Sequence, residues 1–171
     1  MVRTRISRLP ELGSTDRAVL ELLLDDCLIG HFGLTADEHP VVIPTSIARD
    51  GDRILAHGST GSRWMRALAD GAPTALAVTA IDGLVVARSA FESSMRYRSA
   101  VVFGVCTGVG GPAEKRRALD VLTEKLLPGR LAEVRPPMTK ELAATLVLAL
   151  PIREWSLKVS DGWPLESAYS G

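Results

Sequence analysis

The hydrophobic pattern changes along the chain from helical to strand-like and back. Val19, Leu22 and Leu23 recur at helical spacing, and Ser14 or Thr15 is placed to cap a helix that ends near Asp25. From residue 27 onward, short apolar runs alternate with turns. The pattern predicts strands over residues 27–34, 40–44, 53–57, 74–81, 84–90, 99–109, 146–152 and 155–159, and further helices over residues 63–69, 112–127 and 139–144.

Turn signals between these segments predict how the strands are connected. Residues 49–52 and the pair Asp82-Gly83 are typical of hairpin turns, so successive strands are expected to run antiparallel. Neither a GxGxxG motif nor a βαβ unit is present. Strands in hairpin order with peripheral helices predict a mainly β or α+β fold, an antiparallel barrel, rather than a doubly wound parallel sheet.

Composition adds expectations for the number of domains and for the binding partners, and it leaves the predicted fold class unchanged. A chain of 171 residues that is 46% hydrophobic is expected to form one domain over residues 1–171. Within it, residues 1–13 read as a basic, solvated tail that carries Arg3, Arg5 and Arg8, and residues 160–171 as an irregular or shortened end. Twenty basic residues balance twenty acidic ones, which argues against nucleic acid or a membrane as the partner.

The sequence also gives expectations for localisation and for metal binding. We expect a soluble cytoplasmic protein, because neither a signal-peptide pattern nor an apolar run long enough to span a bilayer occurs. Cys27 and Cys106 lie far apart with no CxxC spacing, which predicts buried free thiols. His31, His39 and His57 show no ligand spacing, so no metal site is predicted.

The first stretch with candidate chemistry is the loop His57-Gly58-Ser59-Thr60-Gly61-Ser62-Arg63, which joins a predicted strand to a predicted helix. Its glycines permit close approach of the backbone, and its hydroxyls, Arg63 and the amides at the helix start are donors suited to a phosphate. The alternative is a turn followed by a helix cap at Ser62. The loop by itself does not decide between these interpretations.

A second polar stretch, over residues 87–99, is rich in Arg, Ser and aromatic residues and interrupts two apolar strands. Hydroxyl and guanidinium groups between buried strands need partners, which an anionic, aromatic ligand would supply. The alternative is an exposed loop in which Glu92 pairs with neighbouring arginines.

The order of several motifs resembles a known family. The motifs are Val42-Ile43-Pro44-Thr45-Ser46, the loop from His57 to Arg63, Asp82-Gly83-Leu84-Val85-Val86-Ala87-Arg88-Ser89-Ala90-Phe91, Tyr97-Arg98-Ser99-Ala100-Val101-Val102-Phe103-Gly104, Arg135-Pro136-Pro137 and Ser156-Leu157-Lys158-Val159. Together they resemble the flavin-nucleotide-binding family related to pyridoxamine 5′-phosphate oxidase, and most closely its nitroimidazole-resistance subgroup. The resemblance extends over about residues 16–159.

The resemblance implies a split β-barrel that forms a homodimer, with FMN bound at the subunit interface. Ser62 and Arg63 match the phosphate-binding pair, and His57 matches a position close to the flavin, where it is our candidate catalytic residue. Residues from the other motifs would complete the site, and Tyr97, Arg98 and Ser99 match the segment that reaches the cofactor from the partner subunit. The implied cofactor-binding set is Ile43, Pro44, Thr45, Ser46, His57, Gly58, Ser59, Ser62, Arg63, Ser89, Tyr97, Arg98 and Ser99.

The chain also departs from the family pattern. Trp64 stands where the oxidases have a second cation, Arg96 stands where relatives usually have Asn, and the basic C-terminal substrate motif of the oxidases is missing. Pyridoxamine 5′-phosphate oxidase activity is therefore not expected. We predict instead an FMN-dependent oxidoreductase that takes electrons from a nicotinamide donor and acts on a small electron-poor substrate, such as a nitroaromatic compound. Alternatives are a flavin storage or sensing protein and a split barrel that binds deazaflavin or haem.

Overall fold

The structure, a computed structural model, describes residues 3–162 of the chain. Its elements are, in chain order, β1 (Gly13–Ser14), α1 (Arg17–Asp26), β2 (Ile29–Ala36), β3 (His39–Asp50), β4 (Arg53–Ser59), α2 (Arg63–Ala69), β5 (Pro73–Val85), β6 (Ser94–Val105), β7 (Thr107–Gly108), α3 (Pro112–Leu126), α4 (Thr139–Ala144), β8 (Thr145–Pro151) and β9 (Glu154–Ser160). Single turns of 3₁₀ helix occupy Pro10–Leu12 and Arg130–Ala132.

The nine strands form one curled sheet in the order β1-β9-β6-β5-β2-β3-β4-β8-β7. Every pair of neighbouring strands is antiparallel. The curl brings β6 back towards β8, where an added Cβ on Gly104 would lie 3.1 Å from Leu150 Cδ1. The antiparallel split barrel predicted from the sequence is confirmed.

Two apolar clusters lie on opposite faces of the sheet. Strand alternation sends Phe32, Leu76 and Val102 to the inner face, where they are fully buried together with Leu20 and Leu23 of α1. On the other face of β4 and β8, a smaller cluster packs under α3; its members are Ala48, Leu55, Val109, Ala118, Leu122, Val147 and Ala149. The helices therefore leave much of the outer face of β2, β3 and β5 uncovered.

The feature that positions the candidate site is a change of partner along β3. Residues 39–46 pair with β2, whereas residues 47–50 pair with β4. Near this second pairing, Asp50 accepts hydrogen bonds from Arg53 and Arg117 and so joins the β3–β4 turn to α3. On the side of the Ile47–Ala56 pair away from the turn, β3 and β4 no longer pair with each other. Residues 43–46 of β3 and 57–59 of β4 therefore each have one edge without a described strand partner. We call this gap the split.

Several boundaries differ from the sequence predictions, and two of these differences concern a predicted turn and a predicted helix cap. Asp82-Gly83 is not a hairpin turn: β5 continues through it with a shift in register to Val85, which pairs with Ser94 and is buried. Gly83 lacks the positive φ that a type I′ turn requires, and the loop lies over residues 86–93 instead, so the predicted strand over 84–90 is wrong beyond Val85. The helix cap is Asp16, which accepts from the Ala18 amide, rather than Ser14 or Thr15.

The N-terminal segment lies against the sheet. Arg3 pairs with Glu154 and lies over the Phe103 ring, and Lys158 Nζ donates to the Arg8 carbonyl. This attachment differs from the solvated tail expected for these arginines. Residues 163–171, within the end predicted to be irregular or shortened, lie outside the described residues, so that part stays a prediction.

The remaining sequence expectations concern thiols, metals and membranes. Cys27 and Cys106 are free and buried, as predicted. Across residues 3–162, His, Cys, Asp and Glu side chains form no group of three or more arranged to hold a metal ion. Within the same residues, no helix has the length and apolarity needed to cross a membrane.

Candidate functional site

The split brings together the first three predicted segments of the site. Ile43, Pro44, Thr45 and Ser46 lie on β3 at one side of it, and His57, Gly58 and Ser59 lie on β4 at the other. The turn after β4 leads directly to Ser62 and to Arg63, the first residue of α2. Local pairing explains the placement, because each strand is held on its far edge, β3 by β2 and β4 by β8.

Hydrogen bonds donated by its backbone amides hold the turn over residues 59–62. The Gly61 amide donates to Ser59 Oγ at 3.1 Å and the Ser62 amide to the Ser59 carbonyl at 3.0 Å. The Thr60 amide donates to the Ala144 carbonyl at 3.0 Å. These three amides are committed to the turn, so an anion here would depend on side-chain donors and on the first amides of α2. The Ser62 hydroxyl makes no capping hydrogen bond.

Two arginines lie beside this turn on one face of α2. The Arg63 side chain is 81% exposed, and its Nη2 lies 3.2 Å from Asp37 Oδ2 in the β2–β3 turn. Arg66, one helical turn further on, donates to the Thr60 carbonyl at 2.9 Å and so fixes the loop. Sequence reasoning missed Arg66, which its i,i+3 spacing from Arg63 would have revealed. It also missed Asp37, whose proximity to Arg63 depends on the fold.

Trp64 has a different role from the cation found at this position in the oxidases. It packs against the main core, with its ring centroid 6.1 Å from that of Phe32. Phe32 in turn pairs with Ile43 across β2 and β3. The substitution therefore exchanges a second positive charge for an anchor that holds the start of α2 against the strand bordering the split.

His57 is the half-buried histidine of the site. Its Nδ1 is buried without a hydrogen-bond partner among the described residues. Burial lowers the pKa of the imidazole below its ordinary value, because removal from water disfavours the charged form. His57 alternates with Leu55, so it lies on the face of β4 that carries the α3 cluster. Burial therefore favours the neutral form of this imidazole.

The lowered pKa of His57 predicts its titration. We expect the imidazole to protonate with a midpoint below about 6.5, the ordinary value for histidine, in an NMR titration of ring-labelled protein. Assignment by His57→Asn identifies the resonance. Because the folded form resists protonation, this histidine should also cost stability as the pH falls below the unfolded value. A midpoint at or above 6.5 would contradict the burial described here.

The remaining predicted site residues lie elsewhere in the chain. Tyr97, Arg98 and Ser99 are on β6, which is separated from β3 by β5 and β2. Arg98 donates to Asp82 at 2.8 and 2.9 Å and to Asp26 at 2.9 Å, and these carboxylates raise its pKa. Ser89 accepts from the Glu92 amide inside the 86–93 loop. One chain does not bring these residues to Arg63, and their contact with the cofactor stays a prediction.

Comparison with known proteins identifies the family. The family model described as pyridoxamine 5′-phosphate oxidase matches residues 16–159. No curated protein matches the chain. The chain is similar to the FAD and haem binding protein from Mycobacterium smegmatis, with 52% identity over 91% of this chain and 77% of that one and a TM-score of 0.86. It is also similar to the flavocytochrome Anf3 from Azotobacter vinelandii, with 34% identity over 98% and 78% and a TM-score of 0.90.

A third structure shares the fold at lower identity. A putative 5-nitroimidazole antibiotic resistance protein from Bacteroides thetaiotaomicron superposes with a TM-score of 0.73 at 19% identity, covering 86% of each chain. The family model spans most of the chain and two solved relatives exceed 30% identity. The chain therefore belongs to the flavin-binding split-barrel family related to pyridoxamine 5′-phosphate oxidase.

Proposed function

We propose that this protein binds a flavin nucleotide in the split, with a phosphate at Ser62 and Arg63, and uses it for electron transfer. The observation that carries the proposal is the separation of β3 from β4, which leaves two open strand edges beside an exposed arginine. A flat, largely apolar ring system with one hydrogen-bonding edge suits such a gap. Family membership supports the same assignment.

The residues present fit that cofactor. The open edge of β3 over residues 43–46 offers backbone amides and carbonyls to the polar edge of the ring. Arg63 offers a charge-assisted hydrogen bond to a phosphate, and the hydroxyl of Ser62 adds a neutral donor. His57 lies on β4 beside the split and is the candidate to pass a proton to a substrate. When bound, the flavin would supply the hydride chemistry.

The form of the flavin is a separate part of the proposal. The sequence resemblance implies FMN, whereas the M. smegmatis relative is described as an FAD and haem binding protein. We propose FAD as the resident flavin and retain FMN as the alternative. The two are distinguished by the mass of the cofactor that heat releases from the purified protein.

The reaction proposed is the transfer of electrons from a nicotinamide donor to a small electron-poor acceptor. The test is to load the protein with flavin, remove the excess, and add NADH or NADPH under anaerobic conditions. We expect the visible absorbance of the flavin to bleach and to return when a nitroaromatic acceptor is added. A flavin that stays bound but unreduced would indicate storage or sensing. A protein that retains no flavin would overturn the proposal.

Haem binding is a second candidate function. Two relatives above 30% identity are described as a haem-binding protein and a flavocytochrome. Axial ligation needs a neutral imidazole, and burial favours that form of His57. His31 is exposed on the outer face of β2, opposite Pro44 and Ala77, where a flat ligand has access to it. A Soret band that appears on haem addition and is lost in His57→Ala or His31→Ala would support haem binding and identify the ligand.

We also propose a homodimer formed through the uncovered outer face of the sheet. Ile29, Val42 and Ile81 on this side are 47%, 64% and 64% exposed, which is unusual for large apolar residues on strands. A second copy would cover them and would carry Tyr97, Arg98 and Ser99 to a site otherwise built by one chain. Sedimentation equilibrium should give twice the chain mass, and Val42→Glu should return it to the monomer value.

A further inference from the structure

The turn over residues 59–62, which we call the phosphate turn, is supported from outside by the short helix α4. We propose that Lys115, on α3, is a positioning residue for this turn: its ammonium group fixes the end of α4, and α4 fixes the backbone of Thr60. This inference rests on the flavin site proposed at Ser62 and Arg63. Lys115 itself lies on neither strand that borders the split and in none of the motifs that predicted the site.

The Lys115 ammonium group joins α3 to the end of α4. Its Nζ donates to the Leu142 carbonyl at 3.1 Å and to the Thr145 carbonyl at 2.9 Å, and the side chain is partly buried. The last carbonyls of a helix lack partners within the helix and carry partial negative charge, so a cation beside them is stabilising. Lys115 is therefore the cation that caps α4.

Helix α4 needs such support because it is short. It has six residues, Thr139–Ala144, and isolated helices of this length are not stable in water. At its start, Glu141 accepts from the Met138 amide at 2.8 Å and from Arg135 at 2.7 and 2.9 Å. At its end, Lys115 supplies the donors. Charged side chains at both ends therefore determine where α4 lies.

The end of α4 holds the phosphate turn by one backbone hydrogen bond. The Ala144 carbonyl accepts from the Thr60 amide at 3.0 Å. Lys115 binds the carbonyls of Leu142 and Thr145, which flank that of Ala144 in the chain. A shift of this segment would move the acceptor away from the Thr60 amide. The position of the turn therefore depends on the Lys115 ammonium group.

A second lysine on α3 has the same chemistry at a different place. Lys125 Nζ donates to the Leu24 and Cys27 carbonyls, at 2.6 Å in each case, and so caps the end of α1. Lys125 matches Lys115 in charge and in the number of carbonyls bound, but it caps α1 rather than the helix that holds the phosphate turn. It is therefore the matched control for effects on general stability and on net charge.

Removal of the Lys115 donors should loosen the phosphate turn. Lys115→Met keeps the apolar stem and removes both hydrogen bonds. We expect the turn of this variant to hold its binding geometry for only about 10–30% of the time, which raises the apparent dissociation constant for flavin about three- to tenfold. The Thr60 amide should become exposed to solvent exchange in the same variant, with or without flavin.

The experiment measures two quantities in the wild-type protein, Lys115→Met, Lys115→Arg and Lys125→Met. One is the exchange rate of the Thr60 amide in flavin-free protein, by NMR. The other is the dissociation constant for FAD and for FMN, by fluorescence titration. We expect Lys115→Met to raise both quantities about three- to tenfold over wild type and over Lys125→Met. Lys115→Arg keeps a cation with several donors and should return both to within about twofold of wild type.

Thermal unfolding checks that each variant is folded. If Lys115→Met does not unfold cooperatively, Lys115→Gln takes its place with the same expectations, because its shorter amide does not replace the ammonium group at both carbonyls.

The outcomes separate this role from the flavin site itself. Unchanged Thr60 exchange in Lys115→Met would overturn the positioning role, as would faster exchange with unchanged flavin affinity, and both leave the flavin site standing. Equal effects in Lys125→Met would reduce the result to stability or net charge and overturn the role. A Lys115→Arg variant that behaves like Lys115→Met would assign the effect to packing and overturn it too. A wild-type protein that binds neither flavin would overturn the proposed function, whereas Thr60 exchange would still test the link from Lys115 to the turn.

Discussion

Replacement of Arg63 by alanine is expected to weaken flavin binding by roughly 1.5–3 kcal/mol, about 10- to 150-fold in the dissociation constant. Arg63 is the cation at the end of the split, and its guanidinium is exposed and ready to form a charge-assisted bond to a phosphate. The amides of Thr60, Gly61 and Ser62 are committed to the turn and cannot replace it. The amides of the turn should therefore not compensate for the loss.

The measurement is a fluorescence titration of the apoprotein with flavin, supported by thermal unfolding to confirm that the variant folds. Arg153→Ala is the matched control, because Arg153 is an exposed arginine beyond the opposite end of β8 from the site. It should leave the affinity unchanged. Equal affinity in Arg63→Ala and the wild-type protein would remove Arg63 from the phosphate site.

Replacement of Phe32 by alanine is expected to lower the free energy of unfolding by about 3–5 kcal/mol, the largest stability effect predicted for this chain. Phe32 is completely buried in the main cluster, pairs with Ile43 and contacts Trp64. Its removal leaves a cavity beneath β3, which borders the split, and beneath α2, which begins beside it. Flavin affinity should fall as well, because the positions of those elements become less well defined.

Urea unfolding measures this effect, with Phe91→Ala as the matched control. Phe91 is 98% exposed in the 86–93 loop, so its truncation should change stability by no more than about 0.5 kcal/mol. Phe32→Leu, which keeps most of the buried volume, should cost less than Phe32→Ala. A loss under about 1 kcal/mol in Phe32→Ala would contradict the packing described for the core.

The connections between successive strands could be predicted from the sequence where the residues of the turn itself determine its conformation. Residues 49–52 form the β3–β4 turn as predicted, because Gly51 takes the positive φ that the turn needs. Asp82-Gly83 carried a similar signal, yet β5 runs on through a shift in register. Pairing with β6 and burial of Val85 outweigh the local preference there. The contribution of these long-range contacts cannot be derived from a single sequence.

The same distinction between local and long-range features applies to the candidate site. The loop from His57 to Arg63 was identifiable because its glycines, hydroxyls and arginine are adjacent in the chain. The ion pairs of Arg98 with Asp26 and Asp82, and that of Arg63 with Asp37, join residues 16 to 72 positions apart. Such pairs depend on how the sheet curls and on which strand faces which. The sequence therefore showed which segments carry hydrogen-bond donors, but not which of these donors already pair with other side chains of the protein.

The central claim is that flavin binds in the split, and hydrogen exchange on the protein with and without saturating flavin tests it most directly. The account predicts slower exchange in peptides covering residues 39–47 and 57–66, because bound cofactor would cover the open edges of β3 and β4 and the start of α2. Arg63→Ala should reduce that protection at the same flavin concentration. Protection that avoids both peptides, for instance confined to α3 and residues 131–137, would contradict the account.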